Sequence, residues 1–211
     1  MMKFLIADDH PLYREALCAA LDTEFSGVSY LESDSFASTI KILRSRRTIS
    51  VLLLDLTMPG CDNFYGLLRI RQMFPSLPIA VISASDSLDT ISQVMDFGAQ
   101  AHIPKTTPTS ELIKAIKAVH DGHTWLPNGI AEQLKDINND NIHIAEKVRE
   151  LTPKQFQVLR LVKQGMKNKQ IADALNVTEA TVKAHISSLF KRLEVESRTQ
   201  ILVAIDQLQI D

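Results

Sequence analysis

Cysteine is scarce in this 211-residue chain, which contains only Cys18 and Cys61. Neither belongs to a metal-ligand spacing motif, and a buried cysteine usually acts as a small apolar residue, so we expect neither a disulfide nor a zinc site. Long apolar runs are also missing, because every aliphatic run falls far short of the ~20 residues that a membrane-spanning helix needs. We expect no secretory signal either, since no basic segment precedes an apolar core at the start. These absences favour a protein of the reducing cytoplasm that does not enter a membrane.

The charge is unevenly distributed, although the net charge is only −2. Residues 1–150 contain 14 Lys and Arg against 19 Asp and Glu, a net charge of −5. Residues 151–211 contain 9 against 6, a net charge of +3. A basic segment behind an acidic one predicts that the C-terminal part meets a polyanion.

Residues 1–122 alternate short aliphatic runs with amphipathic segments. Aliphatic runs bounded by turn residues are typical of strands buried on both faces of a parallel sheet. We therefore predict an α/β fold with a doubly wound, five-stranded parallel sheet. The predicted strands are Phe4–Ala7, Val28–Leu31, Val51–Leu54, Ile79–Ile82 and Ala101–Ile103. The predicted helices are Pro11–Leu21, Phe36–Arg44, Phe64–Met73, Leu88–Phe97 and Pro108–His120.

Three carboxylates follow two of these strands: Asp8 and Asp9 after the first, and Asp55 after the third. The carboxyl ends of parallel strands share one edge of the sheet, which is where ligands bind in such folds. Three like charges cannot share a small site without a cation. We interpret the group as an oxygen-only cluster with no His or Cys nearby, which suits a hard cation such as Mg²⁺.

Two further strand ends add a hydroxyl at Ser83 and an ammonium group at Lys105. A carboxylate, a metal, a hydroxyl and a fixed ammonium are the parts needed to hold a phosphoryl group. An aliphatic run followed by Asp is common and weak as a signal, but the ordered set is specific.

The C-terminal residues 149–211 carry helical periodicity throughout. The segment Thr152-Pro153-Lys154-Gln155 is a capping box with proline at the first helical position. A short helix, Lys169–Leu175, is followed by a turn at Asn176 and a longer helix that starts at Thr178 and ends near Leu193. A short helix, a tight turn and a longer helix predict a helix-turn-helix unit.

The longer helix has two contrasting faces. Its apolar stripe is expected in the core, and the opposite face is small and cationic. Small residues allow a helix to enter the major groove, and lysines reach phosphates or guanine edges. A solvated face with two lysines is the alternative interpretation. The face comprises Ala180, Lys183, Ala184, Ser187 and Lys191.

These motifs resemble two known families. The paired acids, Asp55, Ser83 and Lys105, in that order, resemble the receiver domain of bacterial response regulators, which is flavodoxin-like, over essentially all of 1–122. Four segments within 149–206 resemble the LuxR-type DNA-binding domain. They are Leu151-Thr152-Pro153, Asn168-Lys169-Gln170-Ile171-Ala172, Thr181-Val182-Lys183-Ala184-His185 and Ser197-Arg198-Thr199-Gln200. A receiver followed by this domain is similar to the NarL/FixJ subclass of response regulators.

The resemblance implies a cytoplasmic transcription regulator that is phosphorylated by a sensor histidine kinase and binds promoter DNA as a dimer. It divides the chain into a receiver at 1–122, a linker at 123–148 and a LuxR-type helix-turn-helix domain at 149–211. The polar run 136–141 fits a flexible linker, and a short helix is predicted near Ile130–Leu134.

The resemblance also assigns roles to residues of the receiver. Asp55 would be the phosphoacceptor, and Lys105 and Ser83 would contact the phosphoryl oxygens. His102 occupies the position where receivers often carry Tyr or Phe, a switch that moves inward together with the Ser83 contact. The implied Mg²⁺ ligands are Asp8, Asp9, Asp55 and the backbone carbonyl of Thr57.

The same resemblance and the face of the longer helix assign the DNA contacts. They are Asn168, Lys169, Thr181, Lys183, Ala184, Ser187 and Lys191.

Two alternatives remain open from the sequence. An aspartate-nucleophile phosphatase of the haloacid-dehalogenase type also carries Asp at a strand end, but it needs a second Asp where this chain has Thr57. A phosphorylation-independent DNA-binding protein could use the receiver only for dimerisation. The loop after Asp55 also departs from the common receiver form, which carries a glycine where Asn63 or Phe64 falls here.

Overall fold

The computed structural model describes residues 2–45, 48–61, 64–135, 147–148 and 150–206. The chain forms two compact units, Met1–Ile137 and Asn138–Asp211.

Strands and helices alternate through the first unit, as predicted, and the ends of the elements differ from prediction by one or two residues. The elements in chain order are β1 Lys3–Ala7, α1 Pro11–Asp22, β2 Ser29–Ser33, α2 Phe36–Arg44, β3 Val51–Asp55, α3 Phe64–Met73, β4 Ile79–Ser83, α4 Leu88–Asp96, β5 Ala101–Pro104, α5 Thr109–His120 and α6 Ile130–Lys135.

The five strands are all parallel and lie in the order β2-β1-β3-β4-β5. All residues of β3 are buried because helices cover both faces of a doubly wound sheet. Ala7 of β1 lies opposite Leu54 of β3, so Asp8 and Asp55 are the next residues on neighbouring strands. Ser83 of β4 lies opposite Pro104 of β5, which brings Lys105 to the same edge. The register thus delivers the predicted pocket residues to one edge of the sheet.

A glycine is required at the start of α3, close to the loop that follows Asp55. The N–H of Gly66 donates to the carbonyl of Cys61 at 2.7 Å. A Cβ atom at position 66 would lie 2.0 Å from Cys61 Sγ, so a larger residue could not fit without movement of the loop. Asn63, one of the two positions where the common receiver loop carries a glycine, lies outside the described residues. Gly66, a few positions further on, is the glycine that allows the backbone to pass close to its neighbours in this loop.

Residues beyond the predicted receiver boundary at 122 also pack on the first unit. Trp125 forms a parallel bridge with Ala101, and its N–H donates to the carbonyl of Gln100 at 2.8 Å. This contact covers part of the β5 edge, and α6 packs against α4. The predicted short helix near Ile130–Leu134 is therefore present, whereas the polar run 136–141 lies outside the described residues.

The second unit is helical in its described residues. Thr152 and Gln155 form the predicted capping box, with Gln155 Oε1 accepting from the Thr152 N–H at 2.8 Å. Asn176 has φ 52° and ψ 50°, the left-handed conformation that Asn tolerates better than most residues, and it makes the turn of the helix-turn-helix. The helices are α7 Pro153–Lys163, α8 Asn168–Leu175, α9 Glu179–Leu193 and α10 Arg198–Asp206.

Candidate functional site

A single cation joins two buried carboxylates at the edge of the sheet. Lys105 Nζ lies 2.8 Å from Asp8 Oδ2 and 3.0 Å from Asp55 Oδ2. Asp8 is 2% exposed and Asp55 is 1% exposed, so water screens neither charge well. Burial alone would lower the pKa of Lys105, but hydrogen bonds and charge from Asp8 and Asp55 outweigh it and raise that pKa. Lys105 is therefore held as an ammonium group between the two carboxylates, and its predicted contact with a phosphoryl group stays a prediction.

Asp55 is also oriented by its own loop. The backbone N–H of Thr57 donates to Asp55 Oδ1 at 3.0 Å, and Thr57 Oγ1 lies 2.9 Å from both Asp55 oxygens. Ser83 is buried nearby, and its carbonyl accepts from the Lys105 N–H at 2.7 Å. These contacts fix the relative positions of the carboxylate, hydroxyl and ammonium groups. The predicted role of the Thr57 carbonyl as a metal ligand stays a prediction.

The expectation of an oxygen-only cluster with no His nearby is wrong. His10 Nδ1 lies 3.0 Å from Asp8 Oδ1 and 2.9 Å from Asp9 Oδ1. Ligand atoms of Asp8, Asp9, His10 and Asp55 all lie within 4.8 Å of one another. The signal was available, since His10 directly follows the paired acids and precedes the proline that opens α1.

Arg14 is a second residue that the sequence argument missed. Its Nη1 donates to the backbone carbonyl of Asp8 at 2.7 Å, and its Nε donates to Glu32 at 2.7 Å. The guanidinium group thus ties the loop carrying the paired acids to β2. Its place one turn into α1 could have indicated a side chain that points back to the end of β1.

A cleft of about 500 Å³ opens beside the pocket. Leu12 on its rim is 80% exposed, which is unusual for a leucine, and Lys105 Nζ lies 4.8 Å from the centre of the Tyr13 ring. The cleft gives a bulky group a route to the pocket. Its walls are His10, Leu12, Tyr13, Ala16, Thr57, Ala84 and Lys105.

His102 lies within β5, the outermost strand of the sheet, and not at the carboxyl end of the strand where the pocket is. It is wholly buried in β5 opposite Val81 of β4, and neither ring nitrogen has a hydrogen-bond partner. Burial lowers the pKa of His102 to about 4, against smaller opposing effects from the backbone of His102 and Ser85 and from Asp86. The ring is thus neutral near pH 7, and the role of His102 as a switch stays a prediction.

The helix α9 has the two faces that its sequence predicts. Val182, Ile186, Leu189 and Leu193 are buried, and Gln155 Nε2 donates to Ser188 Oγ at 2.7 Å, which holds α7 against α9. Thr181 is half-buried, with its backbone N–H capped by Thr178. The remaining candidate contacts on α9 are exposed together on the opposite face: Lys183, Ala184, Ser187 and Lys191.

The two candidate contacts at the start of α8 differ in their surroundings. Lys169 is exposed, whereas Asn168 Oδ1 accepts from Arg198 Nη1 at 3.2 Å. Arg198 also donates to the carbonyl of Met166, so it links the start of α10 to the start of α8. Asn168 therefore has a structural partner, Arg198, that its sequence context does not indicate.

Among the described residues, no helix is both long and apolar enough to cross a membrane.

The fold and these sites define a class of protein. A doubly wound domain with a carboxylate–lysine pocket at the sheet edge, followed by a helix-turn-helix with an exposed cationic helix, is the architecture of a DNA-binding response regulator. Residues 4–117 match the family described as the response regulator receiver domain, and residues 149–205 match the bacterial regulatory proteins of the luxR family. The chain belongs to the response regulators, in the NarL/FixJ subclass, and is a DNA-binding transcription regulator.

The similarity to individual relatives extends along almost the whole chain. The glycerol metabolism activator of Pseudomonas putida is 34% identical over 209 residues, covering 97% of this chain and 95% of the relative. The nitrate/nitrite response regulator NarP of Escherichia coli is 31% identical over 194 residues, covering 92% and 89%. The structure of RcsB from Salmonella enterica bound to promoter rprA in the presence of phosphomimetic BeF₃⁻ is similar with a TM-score of 0.58 and 27% identity, covering 99% of this chain and 100% of RcsB. These relatives are transcriptional regulators rather than conventional enzymes.

The buried His102 predicts a pH-dependent stability of the first unit. Because its folded pKa is near 4 and the unfolded value is about 6.5, the unfolded chain binds more protons between these values. The stabilisation is complete above pH ~6.5 and is lost as the pH falls toward 4. We expect the free energy of unfolding to fall by up to ~3 kcal/mol more in the native chain than in His102→Phe over this interval.

Denaturant unfolding followed by tryptophan fluorescence measures this difference. The single tryptophan, Trp125, lies beside β5, so its emission reports on the first unit alone. His102→Gln is the matched polar variant, because glutamine does not bind a proton in this pH range. If the free energy of unfolding changed with pH in parallel for the native chain and both variants, the lowered pKa of His102 would be contradicted.

Proposed function

We propose that Asp55 accepts a phosphoryl group from a sensor histidine kinase and that phosphorylation drives the chain to dimerise on promoter DNA. The observation that carries the proposal is Lys105 held between the buried carboxylates of Asp8 and Asp55 at 2.8 and 3.0 Å. A fixed cation beside an acceptor carboxylate can compensate the charge of a phosphoryl group. The two cysteines are not joined by a disulfide, in keeping with a cytoplasmic location.

The donor set of the pocket fits Mg²⁺. Asp8, Asp9, Asp55 and the backbone carbonyl of Thr57 would hold the ion, and Asp8 Oδ2 is a buried oxygen that has an ion pair with Lys105 but no hydrogen bond of good geometry. A bound Mg²⁺ would neutralise charge on the phosphoryl oxygens. Mg²⁺ binds through few carboxylates and keeps several waters, so we expect weak affinity.

The residues of the chain perform a simple transfer. An Asp55 oxygen forms the new bond to phosphorus while the bond from phosphorus to the donor imidazole nitrogen breaks, and the electron pair of that bond leaves with the imidazole. Lys105 and the Ser83 hydroxyl then contact phosphoryl oxygens. The cleft beside Tyr13 supplies room for the donor side chain.

The transfer is stoichiometric in this proposal. A phosphatase would need an acid near Asp55 to protonate its leaving group. Thr57 stands at that position, and its hydroxyl lies 2.9 Å from both Asp55 oxygens. A threonine does not supply a proton at neutral pH, so the chain ends as a phosphoprotein that only water dephosphorylates.

Phosphorylation would reach the DNA-binding unit through the edge of the sheet. The phosphoryl group adds a charge of about −1.5 to −2. This charge would attract Lys105 away from Asp8, and it would also attract Ser83, so that both residues move toward the new oxygens. The loops that follow β4 and β5 begin at these two residues, so the face formed by α4 and α5 would shift. Dimerisation through that face would place two α9 helices about one turn of DNA apart.

The α9 helix would enter the major groove in each half-site. Lys183 and Lys191 would contact phosphates or guanine edges, while Ala184 and Ser187 allow close approach. Lys169 and the amide of Asn168 would contact the phosphate backbone at the start of α8, where the helix dipole favours anions. Thr181 would add a hydroxyl at the start of α9.

One observation favours a second candidate function. His102 is wholly buried in β5 among the packed strands, which favours a fixed rather than a mobile side chain at this position. A receiver that only dimerises would then bind DNA regardless of phosphorylation.

The Asp55→Asn variant tests the acceptor. Native chain treated with acetyl phosphate and Mg²⁺ should gain one phosphoryl group by intact-mass measurement, and Asp55→Asn should gain none because an amide oxygen is a poor nucleophile. Asp89→Asn, an exposed acid on α4, should be phosphorylated as the native chain is. A phosphoryl group that persists in Asp55→Asn would refute the site.

The Lys183→Ala variant tests the DNA-binding helix. If Lys183 contacts phosphate, affinity should fall similarly on all sequences and the salt slope should fall by roughly 0.9. If it contacts a guanine edge, the loss should be about 1–3 kcal/mol and confined to the cognate site. Titrations at several salt concentrations distinguish these outcomes. The exposed Lys154 on α7 provides the control, and equal losses in Lys154→Ala and Lys183→Ala would place the binding surface elsewhere.

A further inference from the structure

We propose that His10 supplies a nitrogen ligand to the metal site and shifts its preference from Mg²⁺ toward later first-row ions such as Co²⁺. The inference rests on the proposed metal site at Asp8, Asp9 and Asp55 and adds a ligand that changes which ion is preferred.

The spacing of the ligand atoms suits an octahedral ion. With metal–ligand bonds of about 2.1 Å, neighbouring ligand atoms of an octahedron lie about 3 Å apart. His10 Nδ1 lies 3.0 Å from Asp8 Oδ1 and 2.9 Å from Asp9 Oδ1, and the four ligand atoms, including that of Asp55, lie within 4.8 Å of one another. In this structure the ring contact with Asp8 is a hydrogen bond, so a bound ion would take the place of the proton that the ring shares with the carboxylates. The more distant ligand atoms would move inward, because two ligands on opposite sides of such an ion lie only ~4.2 Å apart.

The backbone holds His10 at the pocket. It is the N-cap residue of α1, and Pro11 fixes the first helical position after it. Its ring makes no capping hydrogen bond, while its N–H donates to Asp8 Oδ1 at 2.8 Å. The ring is therefore not engaged by its own helix, and its described partners are the two carboxylates.

The charge of the pocket favours a divalent ion. Asp8 Oδ2 is buried, and its partner among the described residues is the Lys105 ammonium at 2.8 Å. Lys105 is the only Lys or Arg ammonium or guanidinium that pairs with the acidic side chains of the pocket among the described residues, so these carboxylates retain negative charge for a divalent ion.

The chemistry of an imidazole changes which ions are favoured. Mg²⁺ is a hard ion that prefers oxygen ligands and water. Imidazole suits softer first-row ions, whose affinities for mixed nitrogen and oxygen sites rise from Mn²⁺ through Co²⁺ to Ni²⁺. A pocket with three carboxylates alone would discriminate less between Mg²⁺ and Co²⁺ than a pocket that includes His10.

Calorimetric titration of the tag-free full chain with Mg²⁺ and with Co²⁺ measures the preference. In His10→Gln the Co²⁺ affinity should fall by about tenfold or more, whereas the Mg²⁺ affinity should stay nearly unchanged because glutamine still offers an oxygen. His123→Gln, an exposed histidine of the same unit, should leave both affinities unchanged.

Pulsed electron paramagnetic resonance with Mn²⁺ reports the ligand directly. Native chain and His123→Gln should show coupling between Mn²⁺ and an imidazole nitrogen, and His10→Gln should not. An unchanged Co²⁺ to Mg²⁺ ratio in His10→Gln, or nitrogen coupling that survives in it, would overturn the inference.

Variants of the pocket acids distinguish a wrong assignment of His10 from a wrong assignment of the whole metal site. If Asp8→Asn and Asp55→Asn weaken both ions while His10→Gln changes nothing, the metal site stands and the role of His10 does not. If the acid variants also leave both affinities unchanged, the proposed metal site itself is wrong.

Discussion

The ion pairs of Lys105 with Asp8 and Asp55 are the interaction on which the first unit depends for its chemistry. They connect the ends of β5, β1 and β3, and they compensate two carboxylates that are almost wholly buried. Removing one partner from such a group leaves an uncompensated buried charge, which is strongly destabilising. In the proposed function, a phosphoryl group on Asp55 would offer Lys105 a partner with more charge than Asp8 has. The resting ion pairs and the proposed rearrangement would then involve the same atoms.

In the second unit, α9 has one packed apolar face and one exposed cationic face. Leu189 and the rest of the apolar stripe of α9 are buried against α7 and α8, while Lys183 and Lys191 project from the other side. Substitutions on the exposed face should therefore alter DNA affinity with little effect on folding. Gln155 of α7 contacts α9 directly through Ser188, and Arg198 links α10 to the start of α8.

The sheet and the order of the pocket residues followed from the sequence because they depend on short-range patterns. A wholly apolar run such as Val51–Leu54 favours a buried parallel strand, and the residue after it must lie at the sheet edge. The contacts of Arg14 and Arg198 could not be predicted, because these long side chains reach partners in other parts of the fold that sequence periodicity does not identify. The contacts of His10 with its neighbours Asp8 and Asp9 depend on the path of the loop after β1. Gly66 belongs to the same group, since its close approach to Cys61 depends on the path of a loop. His102 was identified by its spacing from Lys105, but its complete burial without a hydrogen-bond partner required the packed structure.

The central claim is that phosphorylation at Asp55 is coupled to DNA binding, and promoter affinity of the full chain measures it most directly. Native protein with and without acetyl phosphate, and Asp55→Asn with acetyl phosphate, would be titrated with the same promoter fragment at one salt concentration. Coupling between two sites is typically worth about 1–3 kcal/mol, so the phosphorylated native chain should bind about 5- to 150-fold more tightly than the other two samples. Equal affinity in all three samples would contradict the account and leave the first unit with some role other than control by phosphorylation.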